Sequence, residues 1–133
     1  MYGPQHTQNF YDAYGLREWD RLEATAYGRL KAIIHADFIE THLKSGDRVL
    51  DAGCGPGRFS IVMAELGARV TALDISPGQL ELAREKISET GRLDQMDGFV
   101  HSDIVDLSQI QDGSFDMVVC YGGALSYVSE QRH

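Results

Sequence analysis

Val49-Leu50-Asp51-Ala52-Gly53-Cys54-Gly55-Pro56-Gly57 decides how the rest of the chain is read. A short, mostly apolar run from Arg48 to Ala52 predicts a strand, and it leads into three glycines, each two positions after the last. Phe59 to Leu66 then predicts a helix closed by Gly67. Glycines at such a junction let the backbone turn sharply and approach a ligand closely. Exposed N–H groups and the positive end of the following helix would favour a carboxylate or a phosphate there.

Downstream, the same rhythm continues. Arg69 to Leu73 predicts a second strand. Ser76-Pro77-Gly78-Gln79 supplies a cap, a first-turn proline and a capping-box Gln ahead of a helix over Leu80 to Glu89, which Gly91 ends. Gly98 to His101 predicts a third strand and Phe115 to Cys120 a fourth, and Gly122-Gly123-Ala124-Leu125 begins a further helix. Regular alternation of strand and helix implies parallel strands joined by right-handed crossovers, so the fold class is α/β with a doubly wound, mostly parallel sheet. Ligands of such sheets lie at the carboxyl ends of the strands, near the point where strand order reverses. Gly53 to Gly57, Asp74, Asp103 and Cys120-Tyr121 each follow a predicted strand.

Upstream, residues 7 to 15 predict a short aromatic helix stopped at Gly15. A longer helical pattern runs from about Glu18 to Lys44, with Leu22, Ala26, Leu30, Ile33, Ile34, Phe38, Ile39 and Leu43 forming an amphipathic stripe. Tyr27-Gly28 is where that pattern would break in two, and Ser45-Gly46-Asp47 ends it as a turn. Residues 1–44 are thus a helical cap segment, and 45–133 the sheet core.

Composition narrows the function classes. A chain of 133 residues holds one domain with a real core. Twenty acidic against twelve basic residues, a net charge of -8, argue against a polynucleotide partner or a membrane surface. No apolar run approaches the roughly 20 residues that span a bilayer. The N-terminus has neither the basic nor the apolar region of a signal peptide, so a cytoplasmic protein is expected. Cys54 and Cys120 are expected as reduced, mostly buried thiols. His6, His35, His42, His101 and His133 show no metal-ligand spacing, no metal site is expected, and no catalytic residue stands out.

Three ligand patterns compete for the glycines. A dinucleotide turn wants G-x-G-x-x-G, but Arg58 stands where its third glycine would be. A phosphate loop ends in Gly-Lys-Ser/Thr, and Gly57-Arg58-Phe59 does not. An acidic-x-G-x-G-x-G pattern is met without a gap by Asp51, Gly53, Gly55 and Gly57.

With that pattern, residues 48–127 resemble the core of a class I, Rossmann-like S-adenosylmethionine-dependent methyltransferase of the small-molecule and quinone type. The resemblance implies that the loop, Gly53, Cys54, Gly55 and Gly57, wraps the methionine part of the cofactor, with Asp51 facing its ammonium group. It implies that Asp74 binds both ribose hydroxyls while Ile75 packs on the adenine. Asp103 would accept from the adenine amino group, with Ile104 beside the ring, although Asp106 competes for that place. Cys120 and Tyr121 match the segment whose backbone carbonyl meets the ammonium. Tyr11 and Tyr14 would line the cofactor mouth, near Trp19 and Arg21; the alternative is that they only pack the helix onto the sheet. For Asp74 the alternative is a cap on the next helix, a place that Ser76 already fills.

The implied strand order is 3-2-1-4, and the implied reaction is methyl transfer to a small-molecule acceptor, leaving S-adenosylhomocysteine. A non-catalytic cofactor-binding or interaction module is the alternative, and a nicotinamide-dependent oxidoreductase is disfavoured by the glycine spacing. In the family the sheet continues for three further strands, so the core is expected to be incomplete at its C-terminus. The fourth strand would then be a hydrophobic edge that invites pairing with a second copy of the chain.

Overall fold

The computed structural model describes residues 4–106, 108, 110 and 113–121. Four strands form a parallel sheet: β1 (Arg48–Ala52), β2 (Arg69–Asp74), β3 (Met96–His101) and β4 (Met117–Val119). Their order is β3-β2-β1-β4, the doubly wound arrangement expected from the sequence. β1 and β2 are buried along nearly their whole length, as apolar central strands of a parallel sheet should be. Side chains alternate between the faces. Val49, Val70 and Val119 pack with Ile39, Met63 and Ala64 in one cluster. Leu50, Ala52 and Leu73 pack with Val100, Ile104, Phe115 and Cys120 in another.

Helices α4 (Arg58–Glu65) and α5 (Pro77–Glu89) make the first two crossovers. Ser76 caps α5 as expected, its hydroxyl accepting from the Gln79 N–H at 3.1 Å. The fourth strand is shorter than the predicted Phe115–Cys120. Asp116 N–H bonds to Arg48 O at 2.7 Å and Arg48 N–H to Asp116 Oδ2 at 2.9 Å, which ties the entry to β4 to the start of β1. The helix expected from Gly122 lies outside the described residues.

Upstream of the sheet are α1 (Pro4–Tyr14), α2 (Arg17–Ala24) and α3 (Ala26–His42). The long helical pattern breaks at Thr25, two residues before Tyr27. Thr25 takes an extended conformation, and its hydroxyl accepts from the Gly28 N–H at 2.9 Å, so it caps α3. The apolar stripe on α3 is buried at only one end. Ile39 is fully buried and Leu43 packs beside it, but Leu30, Ile33, Ile34 and Phe38 are exposed. Periodicity defines a helix face and leaves open what covers it; among the described residues only the Ile39 end meets the sheet.

Candidate cofactor site

Asp51, the glycine loop and Asp74 lie at the carboxyl ends of β1 and β2, and β1 has β2 on one side and β4 on the other. Gly53, Gly55 and Gly57 all have positive φ (71°, 55° and 88°), and no other residue type among those described does. Gly57 is also constrained by its neighbours. A Cβ there would meet Ala83 Cβ at 3.1 Å and Ala83 Cα at 3.2 Å, so its size lets α5 pack against the loop.

The loop amides are engaged within the protein. Gly53 and Cys54 N–H donate to Leu73 O at 2.8 and 3.0 Å, and Gly57 N–H donates to Cys54 O at 3.1 Å. Gly55 N–H donates to Asp74 Oδ2 at 2.8 Å. This corrects the expectation of exposed loop N–H groups inviting an anion: the chain's own carbonyls and carboxylate take them. Asp51 does the same at the start of α4. Buried at the end of β1, it accepts from Ser60 Oγ at 2.7 Å and from the Ser60 backbone.

Asp74 is buried and joins two segments. Its Oδ2 holds Gly55 and its Oδ1 accepts from Ser76 N–H at 2.9 Å, so it ties the glycine loop to the start of α5. The two carboxyls feel each other. Asp51 is pushed up to about 6, first by burial and then by the Asp74 charge, while the bonds from Ser60 pull the other way. Burial and both carboxylates also push the half-buried Cys54 thiol well above its usual range. The site is therefore negative and rich in acceptors, and a ligand group carrying positive charge would relieve it.

Around this centre the other predicted residues separate. Ile75 is half-buried beside Asp74, and its carbonyl lies 3.0 Å from His101 Nε2. Asp103 folds its own loop, with Oδ1 accepting from Val105 N–H at 3.2 Å and its carbonyl from Asp106 N–H at 2.8 Å. Asp106 Oδ1 accepts from Ser108 N–H at 3.2 Å, so both candidate acids serve local turns. Ile104 and Cys120 pack under the sheet beside Leu50 and Leu73. Tyr121 points to the other face, stacked on His35 at 3.8 Å and edge-on to Phe59 at 5.1 Å. Its hydroxyl is pushed up by burial and by the Asp51 charge. His35 is pushed down by burial and by Lys31, so it stacks as a neutral ring at neutral pH. Tyr11 and Tyr14 fall on α1, and their side chains lie outside the described part of the structure, as does that of Arg21.

Three contacts escaped sequence reasoning. Ser60, the partner of Asp51, left a signal: it is a hydroxyl inside the apolar run Phe59 to Met63. Trp19 is flanked by the Arg58 guanidinium at 4.2 Å and the Lys86 ammonium at 4.8 Å, and Arg58 also donates to Trp19 O at 3.0 Å. Asp12 reaches the start of α5, bonding to Ser76 Oγ and, at 2.8 Å, to the Gly78 N–H. Nothing in the spacing announces either of these last two.

Similar proteins share this framework. A ubiquinone biosynthesis O-methyltransferase of Xanthomonas euvesicatoria is 44% identical over 88 residues, which are 65% of this chain and 36% of that protein. The chain spans about a third of the length of the curated relatives it matches. Magnesium protoporphyrin IX methyltransferase from Synechocystis, crystallised with bound S-adenosylmethionine, matches with a TM-score of 0.74 at 23% identity, over 99% of this chain and 67% of that one. The [4+2]-cyclase SpnF matches with a TM-score of 0.74 at 19% identity, over 88% of this chain and 48% of that one. These two structures share the fold. Residues 49–133, well over half of the chain and the part that carries Asp51, the glycine loop and Asp74, match the family model described as a methyltransferase domain; the chain belongs to the methyltransferase-domain family.

Proposed function

We propose that this chain is the cofactor-binding region of an S-adenosylmethionine-dependent methyltransferase acting on a small molecule. The observation that carries the reading is the inversion of the glycine loop: its amides bond within the protein, and two buried carboxyls, Asp51 and Asp74, stand beside it. A pyrophosphate would find few free donors and two negative charges there. A ligand with an ammonium, a sulfonium and a ribose diol would find acceptors.

In this reading Asp51 faces the ammonium, and Asp74 accepts from the ribose hydroxyls. Ile75 and Ile104 flank the adenine, and Asp103 accepts from its amino group. Cys120 and Tyr121 offer backbone carbonyls, and residues 1–44, with Tyr11 and Tyr14, form a cap. When bound, the cofactor supplies a methyl group activated on sulfur, and the chain's own work is binding, alignment and exclusion of water. The ubiquinone O-methyltransferase relatives support an oxygen of a small quinone-type molecule as acceptor. Titration calorimetry tests the cofactor. S-adenosylmethionine and S-adenosylhomocysteine should bind and NAD should not; binding of NAD alone would overturn the reading. Transfer of a labelled methyl group to phenolic acceptors separates an enzyme from a binding module.

We also propose that a second copy pairs with β4. β4 ends the described sheet with Val118 61% exposed, and α3 reaches the end of that strand where His35 stacks on Tyr121. A two-fold axis normal to the sheet would pair the two edges and leave each α3 on the same face of the joined sheet. No described helix is long and apolar enough to cross a membrane. A cytoplasmic location fits that and remains part of the proposal.

A further inference from the structure

The N-terminal helices are attached at the two places where the cofactor residues leave the sheet. At the first, Asp12 on α1 accepts from Ser76 Oγ and from Gly78 N–H. The backbone N–H of that same Ser76 donates to Asp74 Oδ1. Gln79, fully buried, adds a bond from Nε2 to Gly15 O at 3.2 Å, just past the end of α1. At the second, Trp19 on α2 is held by Arg58, the residue after Gly57. A Cβ on Gly78 would stand 2.9 Å from Asp12 Oδ1, so a side chain there would push the Asp12 carboxylate aside, while Asp12 Cα at 3.4 Å is at ordinary contact distance.

We propose that Asp12 is a positioning residue: through Ser76 it couples docking of α1 to the orientation of Asp74, and so to retention of the cofactor's ribose. The proposal rests on the reading of Asp74 as the ribose ligand. Ser76 is the hinge of the argument, since its hydroxyl meets Asp12 and its amide meets Asp74. With α1 docked, the Asp74 carboxylate is held from both sides, by Gly55 and by an anchored Ser76. With α1 released, the Ser76 backbone loses its outer restraint and Asp74 loses its fixed direction. Asp12 itself touches no part of the ligand. Its charge also suits the positive end of α5.

The test uses Asp12→Ala, Asp12→Asn and Gly78→Ala in the full chain, with S-adenosylhomocysteine and its 2′-deoxyribose analogue as probes. Asp12→Ala should weaken S-adenosylhomocysteine about tenfold, as expected for loss of bonds to a charged acceptor. It should weaken the 2′-deoxy analogue by a smaller factor, because one of the two hydroxyls through which the lost ordering is felt is missing. Asp12→Asn keeps an acceptor oxygen for both donors and should recover affinity to within about threefold of the parent. Gly78→Ala pushes the Asp12 carboxylate off its donors without removing it and should reproduce the alanine effect; it also serves if Asp12→Ala folds poorly. Equal losses for both probes, or none, would overturn the coupling. Trypsin cleavage at Arg17 reads the docking separately. It should quicken in Asp12→Ala and Gly78→Ala even with no ligand, and unchanged cleavage overturns the latch. Failure of the parent protein to bind S-adenosylhomocysteine, with cleavage still quickened, would instead strike the cofactor reading.

Discussion

The carboxyl edge around the glycine loop and the flank made by α3 and β4 break the usual pattern of burial in opposite ways. At the loop, Asp51, Ser60, Asp74, Ser76 and Gln79 are polar and buried. At the flank, Leu30, Ile33, Ile34, Phe38 and Val118 are apolar and exposed. The buried polar groups hold one another: Asp51 with Ser60, Asp74 with Gly55 and Ser76, and Ser76 with Gln79. These partners lie within 51–79, one β-α-β-α stretch, and Asp12 and Gly15 reach Ser76 and Gln79 from outside it. The flank has no such closure, and burying it takes a surface that the described residues do not supply. Buried polar groups can thus be satisfied within the chain on a fold whose apolar flank stays exposed.

The contrast predicts unequal responses to one substitution on one helix. Ile39→Ala removes a fully buried side chain from the cluster of Val49, Met63 and Val119 and should cost about 2–5 kcal/mol. Ile34→Ala, five residues earlier and 56% exposed, should change stability by less than about 0.5 kcal/mol. Urea unfolding of the pair measures both, and equal costs would mean that the flank is covered. Gly57→Ala comes next. It places a side chain at φ 88° and 3.1 Å from Ala83 Cβ, and should cost about 2–4 kcal/mol. The same variant should lose cofactor affinity, because the loop and α5 separate.

Asp51→Asn should act on stability and binding with opposite signs. The folded carboxyl titrates at about 6 against an ordinary 3.8, so between those values the folded chain holds a proton that the unfolded chain has released. Stability from this group is therefore full below pH 4 and is lost as pH rises through 6. Asparagine stays neutral and can still accept from Ser60. At pH 4 the variant and parent should match in this respect; by pH 7 the variant should gain on the order of 3 kcal/mol. Cofactor affinity should fall at least tenfold in the variant. In the parent, affinity should weaken as pH drops below 6, where Asp51 takes up a proton. A variant stabilised equally at both pH values would show that the buried charge is not the cause.

How far the sequence disclosed these two regions follows from the range of the interactions. The strands, the capped start of α5 and the three-glycine turn rest on local chemistry, and they were legible. So was the strand order, once alternation and the family resemblance are combined. Ser60 was half legible, as a hydroxyl in an apolar helix. Asp12 was not, because its bonds to Ser76 and Gly78 cross 64 and 66 residues and exist only after α1 docks. The fate of the loop amides was hidden for the same reason: Leu73 and Asp74 take them from the neighbouring strand. The stripe on α3 was seen as a pattern, but a pattern names a face and leaves its partner open.

One of the smallest expected effects on folding is also the one that tests the flank most directly. Ile34→Glu with Phe38→Glu places two charges on the exposed row of α3, at positions 56% and 51% exposed. In dilute protein, where each chain stands alone, each substitution should change stability by less than about 1 kcal/mol, since Ile34 is exposed and Phe38 leaves only a surface stack on His42 at 4.1 Å. At higher concentration the outcome should differ. If two copies meet through β4 and α3, the four added carboxylates face one another across the two-fold axis, and like charges brought together there oppose association. Sedimentation velocity over a dilution series should then show a dimer for the parent and a monomer for the variant, while S-adenosylhomocysteine binding is unchanged. A parent that stays monomeric throughout removes the second copy as the partner of this flank and leaves the loop, whose contacts are all internal, untouched.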